Sequence, residues 1–532
     1  MGIRALLAYL AIGSLAKANE CNPNLLDVDL RRCPLPSVHA NDGPVELHLM
    51  PMLLEIPGRS YITRAYAVGH NRPTIPGPII YMKQNSVVRI SLYNDLSDRQ
   101  KSEMGFMNGF FEFNTTNLHL HGIHVVSEEP QDDVGVRIPP GYYYQYEYDL
   151  KEHCSGLHMY HAHSHGAITM QVGGGAYGLL VVEDEESNSP FQFLKSLPSM
   201  IISIWQFSPN ALIAIADEND LFRKVSGSAS PVIVLVNGFV QPKITVNPNQ
   251  WYRWRIQHSS VDAPLVLLLD GCQMMLLALD GIWLRKPRPI SNIRLLQPSR
   301  AEVAIKCPRS ATYRMMSKFT NTIIATVNVD GSAEPGPTSL DLSFWRLPEP
   351  PAYLQDALDI PEQSLANRSF SVFINSPHPD GFLNGKPFAG DTRDKALHYM
   401  LPGTTEQWTL TLRQHPFHVH SFPFQLQKDS ADGFYKRGDW LDTYDGDDMP
   451  IRLHIGVEFN GKVMIHCHLA QHSDMGILGL AWIDGQSKLR RRLPIKILYR
   501  PNSAPTFSLH WYASGLLTLI LISIAFCHFA QT

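Results

Sequence analysis

Short alternating segments dominate the pattern of apolar and polar residues along the chain. Residues 86–93 (SVVRISLY) and 142–150 (YYYQYEYDL) place an apolar or aromatic residue at every second position. Side chains of a β-strand point alternately to its two faces, so this pattern predicts strands with one buried face. Pro, Gly and Asn separate the segments, and no long segment has sustained helical periodicity. The pattern predicts an all-β protein of Greek-key β-sandwiches.

Composition breaks divide the chain into three predicted domains. They comprise residues 42–186, which end in an acidic linker, residues 196–339, which end in a Gly/Pro/Ser-rich stretch, and residues 340–500. A chain of 532 residues has room for about three domains of ~150 residues each. Asn237-Gly238 in the second block recurs as Asn384-Gly385 in the third, which hints at duplicated domains.

The overall composition is that of a globular protein. Hydrophobic residues make up 44% of the chain and charged residues 18%, which leaves no sign of bulk disorder. The formal net charge is −4 with both signs interspersed. No basic surface is therefore expected, and nucleic acid is excluded as a predicted partner.

Both ends of the chain have the pattern of processing signals. Residues 1–18 combine an early positive charge, an apolar stretch and a small-x-small site, as in a cleaved secretory signal peptide. Residues 503–532 combine small residues, a polar spacer and an apolar tail, which favours a GPI-attachment signal. A C-terminal membrane span is the alternative, but no Lys or Arg follows the tail. We expect a protein of the secretory pathway at the cell surface, attached to the membrane through its tail or released.

Seven cysteines are too few for a disulfide scaffold. Sequence distance suggests two disulfides and one leftover thiol, namely Cys21–Cys33, Cys272–Cys307 and Cys154. Two glycosylation sequons begin at Asn114 and Asn367. We favour the second, because Asn114 adjoins a histidine motif and is expected to be buried.

Four clusters stand out among the 23 histidines. An H-x-H pair on a strand points both imidazoles to the same face, so two such strands can surround a metal or a metal cluster. Imidazole alone does not distinguish copper, zinc, iron and nickel. A single H-x-H pair is more often an ordinary polar pair of a strand than a pair of metal ligands. Four histidine clusters in one chain, however, predict a metal centre. The clusters are His119-x-His121, His161-x-His163, His415-x-x-His418-x-His420, and His466-Cys467-His468 followed by His472.

Cys467 narrows the choice of metal. Two histidines and a thiolate, with a weak or missing axial ligand, form a blue-copper electron-transfer site. His415, Cys467 and His472 can supply these ligands. On a strand, His466 and His468 point away from the Cys467 side chain, so they reach a different centre. The cysteine would then bind one copper while its neighbours give electrons a short covalent route to another.

These clusters resemble the four copper-binding motifs of the multicopper oxidases, the family that includes laccases and ferroxidases. All ten histidines and the cysteine of the family pattern are present in the family's order, and residues 73–80 (PTIPGPII) and 440–443 (WLDT) extend the resemblance. The resemblance implies three cupredoxin-like domains with a mononuclear copper in the third and a trinuclear cluster between the first and third. The four segments are residues 117–122 (NLHLHG), 160–163 (YHAH), 415–420 (HPFHVH) and 466–477 (HCHLAQHSDMGI).

Position by position, the resemblance implies four coppers per chain. It assigns His415, Cys467 and His472 to a type 1 copper. It assigns the remaining histidines to a type 2 copper (His119 and His418) and to a type 3 pair (His121, His161, His163, His420, His466 and His468).

Three further positions bear on the chemistry that the resemblance implies. The axial place of the type 1 site falls on Ile477, which cannot coordinate copper, so we predict a medium-to-high potential. Met475 is out of register with that place and is expected to pack. Asp132 stands where the family carries a carboxylate that assists proton transfer, although it could simply be one charge of an acidic loop. The histidines beside the motifs, His124, His158 and His165, are expected to be orienting or surface groups.

The implied reaction is the one-electron oxidation of a reducing substrate, coupled to the four-electron reduction of dioxygen to water through Cys467, His466 and His468. We predict a laccase-like enzyme acting on phenols or aromatic amines. The alternative is a ferroxidase acting on Fe(II), for which the acidic residues 442–448 (DTYDGDD) are candidates, although such runs are usually solvated loops. A non-catalytic cupredoxin scaffold would normally have lost ligands, and a copper nitrite reductase would not need six type 3 histidines.

Overall fold

A computed structural model describes residues 20–97, 108–185, 189–208, 232–260, 264–331, 346–375, 381–485 and 497–499. The predicted signal peptide (1–18) and the predicted anchor segment (503–532) lie outside these residues. Strands in six β-sheets make up most of the regular secondary structure of the described chain, which confirms the all-β prediction. Across the described ranges, no helix has the length and apolar character needed to cross a membrane.

The first domain is a sandwich of two sheets. One has the strand order β1-β4-β9-β8-β6 and the other contains β3-β2-β5-β7. Strand β7 follows the predicted alternation, because Tyr144, Tyr146 and Tyr148 are buried while the residues between them are exposed. A short helix, α1 (Ile168–Gly173), connects the last two strands. The strands are β1 (Ser37–His39), β2 (Val45–Ile56), β3 (Arg59–Val68), β4 (Gly77–Met82), β5 (Ser86–Asn94), β6 (His119–His121), β7 (Tyr142–Leu150), β8 (Gly156–His161) and β9 (Tyr177–Val182).

The second domain follows helix α2 (Ser189–Ser196). Its larger sheet has the order β12-β11-β10-β14-β19-β16-β17, and its smaller sheet has the order β13-β21-β20-β15-β18. The strands are β10 (Ser199–Phe207), β11 (Ile233–Val236), β12 (Phe239–Val240), β13 (Lys243–Val246), β14 (Tyr252–Ser259), β15 (Leu265–Leu269), β16 (Gln273–Leu279), β17 (Ile282–Pro289), β18 (Ile293–Leu295), β19 (Arg300–Lys306), β20 (Thr312–Ser317) and β21 (Ile323–Val329).

The third domain also has two sheets, ordered β23-β22-β25-β30-β27-β28 and β24-β32-β31-β26-β29. Helix α3 (Ala470–Asp474) and two 3-10 turns, Glu362–Ser364 and Arg393–Lys395, complete it. The last strand, β33, pairs with β7 of the first domain. The strands are β22 (Asn367–Asn375), β23 (Phe382–Leu383), β24 (His398–Met400), β25 (Thr404–Thr411), β26 (Phe417–Val419), β27 (Phe424–Leu426), β28 (Trp440–Leu441), β29 (Thr443–Tyr444), β30 (Met449–Ile455), β31 (Gly461–Cys467), β32 (Leu478–Ile483) and β33 (Leu498–Tyr499).

The sheets follow the predicted three-part order, while the exact domain boundaries stay predictions. The repeated Asn-Gly dipeptides occupy equivalent places in the second and third domains. Asn237 and Asn384 both have positive φ and both are followed by a glycine with positive φ, as a two-residue hairpin turn requires. Each asparagine side chain also bonds to the main chain of a neighbouring strand, Asn237 to residues 201 and 203 and Asn384 to residues 371 and 373.

Buried charges connect the first and second domains at the linker that the sequence marked as acidic. Asp184 accepts hydrogen bonds from Arg253 (2.6 Å) and from Arg255 (3.1 Å), and Arg253 also donates to Glu302 (2.7 Å). All four side chains are less than 10% exposed. The end of the linker is therefore an interdomain contact and not a solvated tether.

The cysteine pairing agrees with the sequence prediction. Cys21 bonds to Cys33 and Cys272 bonds to Cys307, whereas Cys154 is a buried free thiol. Asn114 is 3% exposed, as expected from its place beside a histidine motif.

Removing the Cys272–Cys307 disulfide is expected to destabilise the second domain by about 2–5 kcal/mol, because it closes a long loop. Cys272→Ser with Cys307→Ser should lower the thermal unfolding temperature of the copper-loaded protein in calorimetry. The matched control is Cys21→Ser with Cys33→Ser, whose loop is shorter and whose loss should cost about 1 kcal/mol less. Equal unfolding temperatures for the altered and unaltered proteins would contradict this expectation.

Candidate metal centre

Two strand pairs from different domains bring the histidine motifs together. In the first domain, β6 pairs with β8 so that His119 lies opposite His161. In the third domain, β26 pairs with β31 so that His418 lies opposite His466. The two pairs face each other, and ring centroids lie 3.9 Å apart for His119 and His420.

Eight histidines line this space, and all are at least 93% buried. Several sets of three have ligand atoms that all lie within 4.8 Å of one another. Such separations suit nitrogens that share a metal. The sets are His119/His418/His420, His119/His121/His161, His163/His420/His466, and His121/His418 with Asp442.

Burial keeps seven of these imidazoles uncharged. Loss of hydration, followed by the neighbouring imidazoles, lowers the pKa of six of them, and it lowers the pKa of His466 to about 3. A neutral imidazole has one nitrogen free to bind a metal, so the set suits metal ligation at neutral pH. The six are His121, His161, His163, His418, His420 and His468.

The hydrogen bonds of these rings favour one tautomer for several of them. His161 Nδ1 lies 3.0 Å from its acceptor, the main-chain oxygen of Ala162, and His466 Nδ1 lies 2.9 Å from that of Cys467. An N–H donated on one side leaves the other nitrogen as the ligand atom. Among the described residues, six of the buried ring nitrogens here have no hydrogen-bond partner: His119 Nε2, His121 Nδ1, His161 Nε2, His418 Nε2, His420 Nδ1 and His468 Nε2.

Asp132 holds one of the predicted type 2 ligands. Its Oδ2 lies 2.6 Å from His119 Nδ1, and its Oδ1 accepts the N–H of Leu120 at 2.8 Å. The carboxylate is 1% exposed and is also 4.0 Å from His420 Nδ1. Asp132 is therefore a buried group behind the histidines and not a charge of a solvated loop.

Asp442 is a second carboxylate at the centre, in a role different from the one predicted from the sequence. Its Oδ1 lies 3.1 Å from His121 Nε2, and its main-chain oxygen lies 2.8 Å from His418 Nδ1. It is 3% exposed. Asp442 began the acidic run interpreted either as an Fe(II) site or as solvated loop; the structure supports neither for this residue. Asp442 directly precedes β29, which pairs with the ligand-bearing strand β26. This position beside a ligand strand could have indicated its role.

The three predicted type 1 ligands are neighbours on the other side of β31. Cys467 Sγ lies 3.7 Å from His472 Nδ1, and the rings of His415 and His472 are 5.0 Å apart. His415 Nδ1 points to the main-chain oxygen of Leu412 at 2.8 Å. Among the described residues, the sets of ligand atoms that all lie within 4.8 Å of one another belong to the cluster of eight histidines and do not include these three residues.

Cys467 lies inside the third domain and is completely buried. Burial raises the pKa of its thiol to about 12, so a thiolate here needs a cation beside it. Ile477 is also completely buried, and its main-chain oxygen accepts the N–H of Cys467 at 3.0 Å. This contact agrees with an apolar residue beside the predicted type 1 site, while Met475 is only partly buried.

The three histidines beside the motifs do not belong to the cluster of eight. His124 stacks on Tyr353 at 4.2 Å, and His165 lies edge-on to Phe388. His158 is completely buried, with its ring 5.1 Å from that of His153. Their role as orienting or surface groups stays a prediction.

The donor set fits copper. Buried neutral imidazoles suit copper ions, and a buried thiolate beside two histidines is the ligand set of a blue-copper site. The ring nitrogens without a hydrogen-bond partner at the core of the cluster are the atoms to which such ions would bind. The fold and the site thus define a protein of three β-sandwich domains, with a cysteine and two histidines grouped in the third domain and a cluster of eight buried histidines between the first and third.

Comparison with known proteins identifies the family. Sequence models described as multicopper oxidase match residues 63–187, 215–333 and 351–486, which is more than half of the chain. The chain belongs to the multicopper oxidase family, whose members bind copper and act as oxidoreductases.

Individual relatives are distant. A Staphylococcus aureus protein named multicopper oxidase mco is 24% identical over 76% of this chain and 81% of its own length. Laccase-1 of Botryotinia fuckeliana is 22% identical over 80% and 81%. The crystal structure of a laccase-like multicopper oxidase CueO from Ochrobactrum sp. superposes with a TM-score of 0.67 at 21% identity, covering 85% of this chain and all of that one. The structural likeness shows the three-domain cupredoxin fold.

Asp132→Asn is expected to weaken copper binding at the cluster about 10- to 100-fold, because the amide cannot hold His119 Nδ1 as the carboxylate does. Copper per chain after dialysis against a chelator, and oxygen uptake, would measure the effect. The matched control is Asp133→Asn, a neighbouring buried carboxylate that pairs with Lys462 at 2.7 Å. Equal copper retention in the two variants would show that Asp132 has no special role.

Proposed function

We propose that this chain is a laccase-like oxidase that takes single electrons from phenols or aromatic amines and reduces dioxygen to water. It would hold four coppers: a type 1 ion at His415, Cys467 and His472, and a trinuclear cluster at the eight interdomain histidines. Bound copper supplies the one-electron redox chemistry and the reduction of dioxygen. The observation that carries the choice of substrate is the pairing of the acidic residues near the type 1 ligands with arginines.

A groove beside the predicted type 1 site suits an organic substrate. It has a volume of about 990 Å³ and lies between the second and third domains. Gln414 and Pro416, the neighbours of His415 in sequence, contribute to its wall. His415 is 9% exposed, which leaves a ring edge close to the groove. Apolar and aromatic side chains line much of it, including Pro264, Pro289, Phe319, Phe434 and Leu469.

The acidic groups of this groove are already neutralised. Asp445 accepts two hydrogen bonds from Arg294 Nη2, at 2.6 and 2.9 Å, and Asp432 lies 3.4 Å from Arg294 Nη1. Fe(II) would have to compete with these partners, so the groove favours an uncharged aromatic reductant over a metal ion.

Ferroxidase activity remains the second candidate because of one relative. A yeast protein named iron transport multicopper oxidase FET5 is 24% identical over 42% of this chain and 36% of its own length. That match is partial, and the iron transport in its name belongs to that protein. The acidic groups at positions 447 and 448 are exposed and could meet a cation in solution.

The chain's own residues would perform distinct tasks. His415 would pass electrons from the groove, since its neighbours Gln414 and Pro416 form part of the groove wall. Cys467 would join the type 1 site to the trinuclear site through its covalent bonds to His466 and His468. His466 Nε2 lies 3.2 Å from His163 Nε2 of the first domain. Asp132 Oδ2, hydrogen-bonded to His119 Nδ1, would hold a proton beside the cluster.

We also propose that the enzyme acts in the secretory pathway or at the cell surface. The signal-like N-terminus and the C-terminal tail support this location. The two disulfides support it further, because such bonds persist in oxidising compartments.

Oxygen uptake by the copper-loaded chain is expected to show kcat/KM at least about tenfold higher for 2,6-dimethoxyphenol than for Fe(II), after subtraction of autoxidation. Arg294→Gln tests the reason, because it releases Asp445 and Asp432. This variant should gain Fe(II) oxidation relative to phenol oxidation. A strong preference of the unaltered protein for Fe(II) would instead make it a ferroxidase.

Ile477→Met is expected to lower the type 1 reduction potential, because a thioether replaces an apolar group beside the site. The substitution nearly conserves volume, so folding should be little affected. A redox titration followed at the blue absorption band would measure the shift. Ile477→Leu serves as the control and should leave the potential close to that of the unaltered protein; identical potentials in all three would refute an axial role for this position.

A further inference from the structure

One arginine occupies the point where the three domains meet. Arg300, the first residue of β19 in the second domain, is completely buried. Its Nε donates to the main-chain oxygen of Leu157 in the first domain at 3.4 Å. Its Nη1 and Nη2 donate to the two carboxylate oxygens of Asp442 in the third domain, at 3.3 and 2.6 Å. A single guanidinium thus bonds to two other domains, while its Nη2 also donates to the main-chain oxygen of Asp280 in its own domain at 3.0 Å.

The second domain holds Asp442 by its main chain as well. Asp280 Oδ2 accepts the N–H of Asp442 at 3.2 Å, and Asp280 is 2% exposed. Because both its carboxylate and its main chain have partners in the second domain, Asp442 has little freedom to turn or shift.

Asp442 in turn faces two predicted copper ligands from different domains. Its Oδ1 is 3.1 Å from His121 Nε2, which leaves His121 Nδ1 as the nitrogen that faces the cluster. Its main-chain oxygen is 2.8 Å from His418 Nδ1, which leaves His418 Nε2 for the cluster. The acceptor beside each ring decides its tautomer and its orientation.

We propose that Arg300 is a positioning residue of the trinuclear site, acting through Asp442 on His121 and His418. The second domain, which supplies no predicted ligand, thereby controls the geometry of a centre built by the other two domains. This inference rests on the proposed copper oxidase function.

Two features argue that the contact serves position more than stability. A buried ion pair recovers little net free energy, because its desolvation offsets its attraction, whereas its geometry is strict. The guanidinium also lies against the main chain that follows His121, where a Cβ on Gly122 would collide with Nη2. Arg300 therefore constrains the His121 segment by contact as well as through Asp442.

The test compares Arg300→Met and Arg300→Lys with Arg253→Met in the full copper-loaded protein. Arg253 is the matched control because it is 2% exposed and joins the second domain to the first through Asp184. It is not hydrogen-bonded to any of the predicted ligands. Copper per chain, the blue type 1 absorption, the type 2 electron paramagnetic resonance signal and the unfolding temperature would be measured for each.

Arg300→Met should keep the type 1 absorption but change or lose the type 2 signal. The copper count should fall from about four per chain towards one after dialysis against a chelator, and oxygen uptake should fall at least about tenfold. Arg300→Lys keeps the charge but not the two-point contact, so intermediate losses are expected. Arg253→Met should lower the unfolding temperature while it keeps the copper and both signals.

Either of two results would overturn the proposal. One is an unchanged type 2 signal with full copper in Arg300→Met or, if that variant does not fold, in Arg300→Lys. The other is an equal loss of copper in Arg253→Met, which would reduce Arg300 to a general stabilising contact. Failure of the unaltered protein to bind copper would refute the proposed function itself, and the inference with it.

Discussion

Eight imidazoles can share one buried space only while they stay uncharged, because each protonated ring would lose its hydration and repel the others. A neutral imidazole has one N–H and one lone pair, so each ring needs an acceptor for its N–H on the side away from the cluster. The acceptors therefore contribute to the centre together with the rings, because they decide which nitrogen of each ring faces the cluster. They include the main-chain oxygens of Ala162 and Cys467 and the carboxylates of Asp132 and Asp442.

The origin of these acceptors explains why a domain without ligands belongs to the centre. Strand register places four of the rings opposite one another inside single domains, since β6 pairs with β8 and β26 with β31. The acceptors on Ala162, Cys467 and Asp132 also belong to the two ligand-bearing domains. Asp442, however, is held by Arg300 and Asp280 of the second domain. The relative placement of the first and third domains is thus coupled to contacts that the second domain makes with both.

The sequence predicted those features that depend on local periodicity. Alternation on a strand was enough to place His466 and His468 on one face and Cys467 on the other, and to identify β7 as a half-buried strand. It could not predict which charges pair over long distances. Asp442 and Asp445 read as one acidic run, yet they bind Arg300 and Arg294, which lie 142 and 151 positions away in sequence. A run of like charges in sequence therefore says little about the local field once distant cations are buried beside it.

Only the thickness of strand β31 separates the proposed site of substrate oxidation from the proposed site of dioxygen reduction. The Cys467 face packs into the apolar interior of the third domain, with Phe417 opposite on β26 and Ile477 bonded to its main chain. The His466 face looks into the interdomain space, where it meets His163. The groove that would receive the reductant is built by strands and loops of the second and third domains, whereas the proposed dioxygen side is lined by buried histidines and their acceptors. Substitutions in the groove can therefore change the substrate without disturbing the acceptors that orient the histidine rings of the cluster.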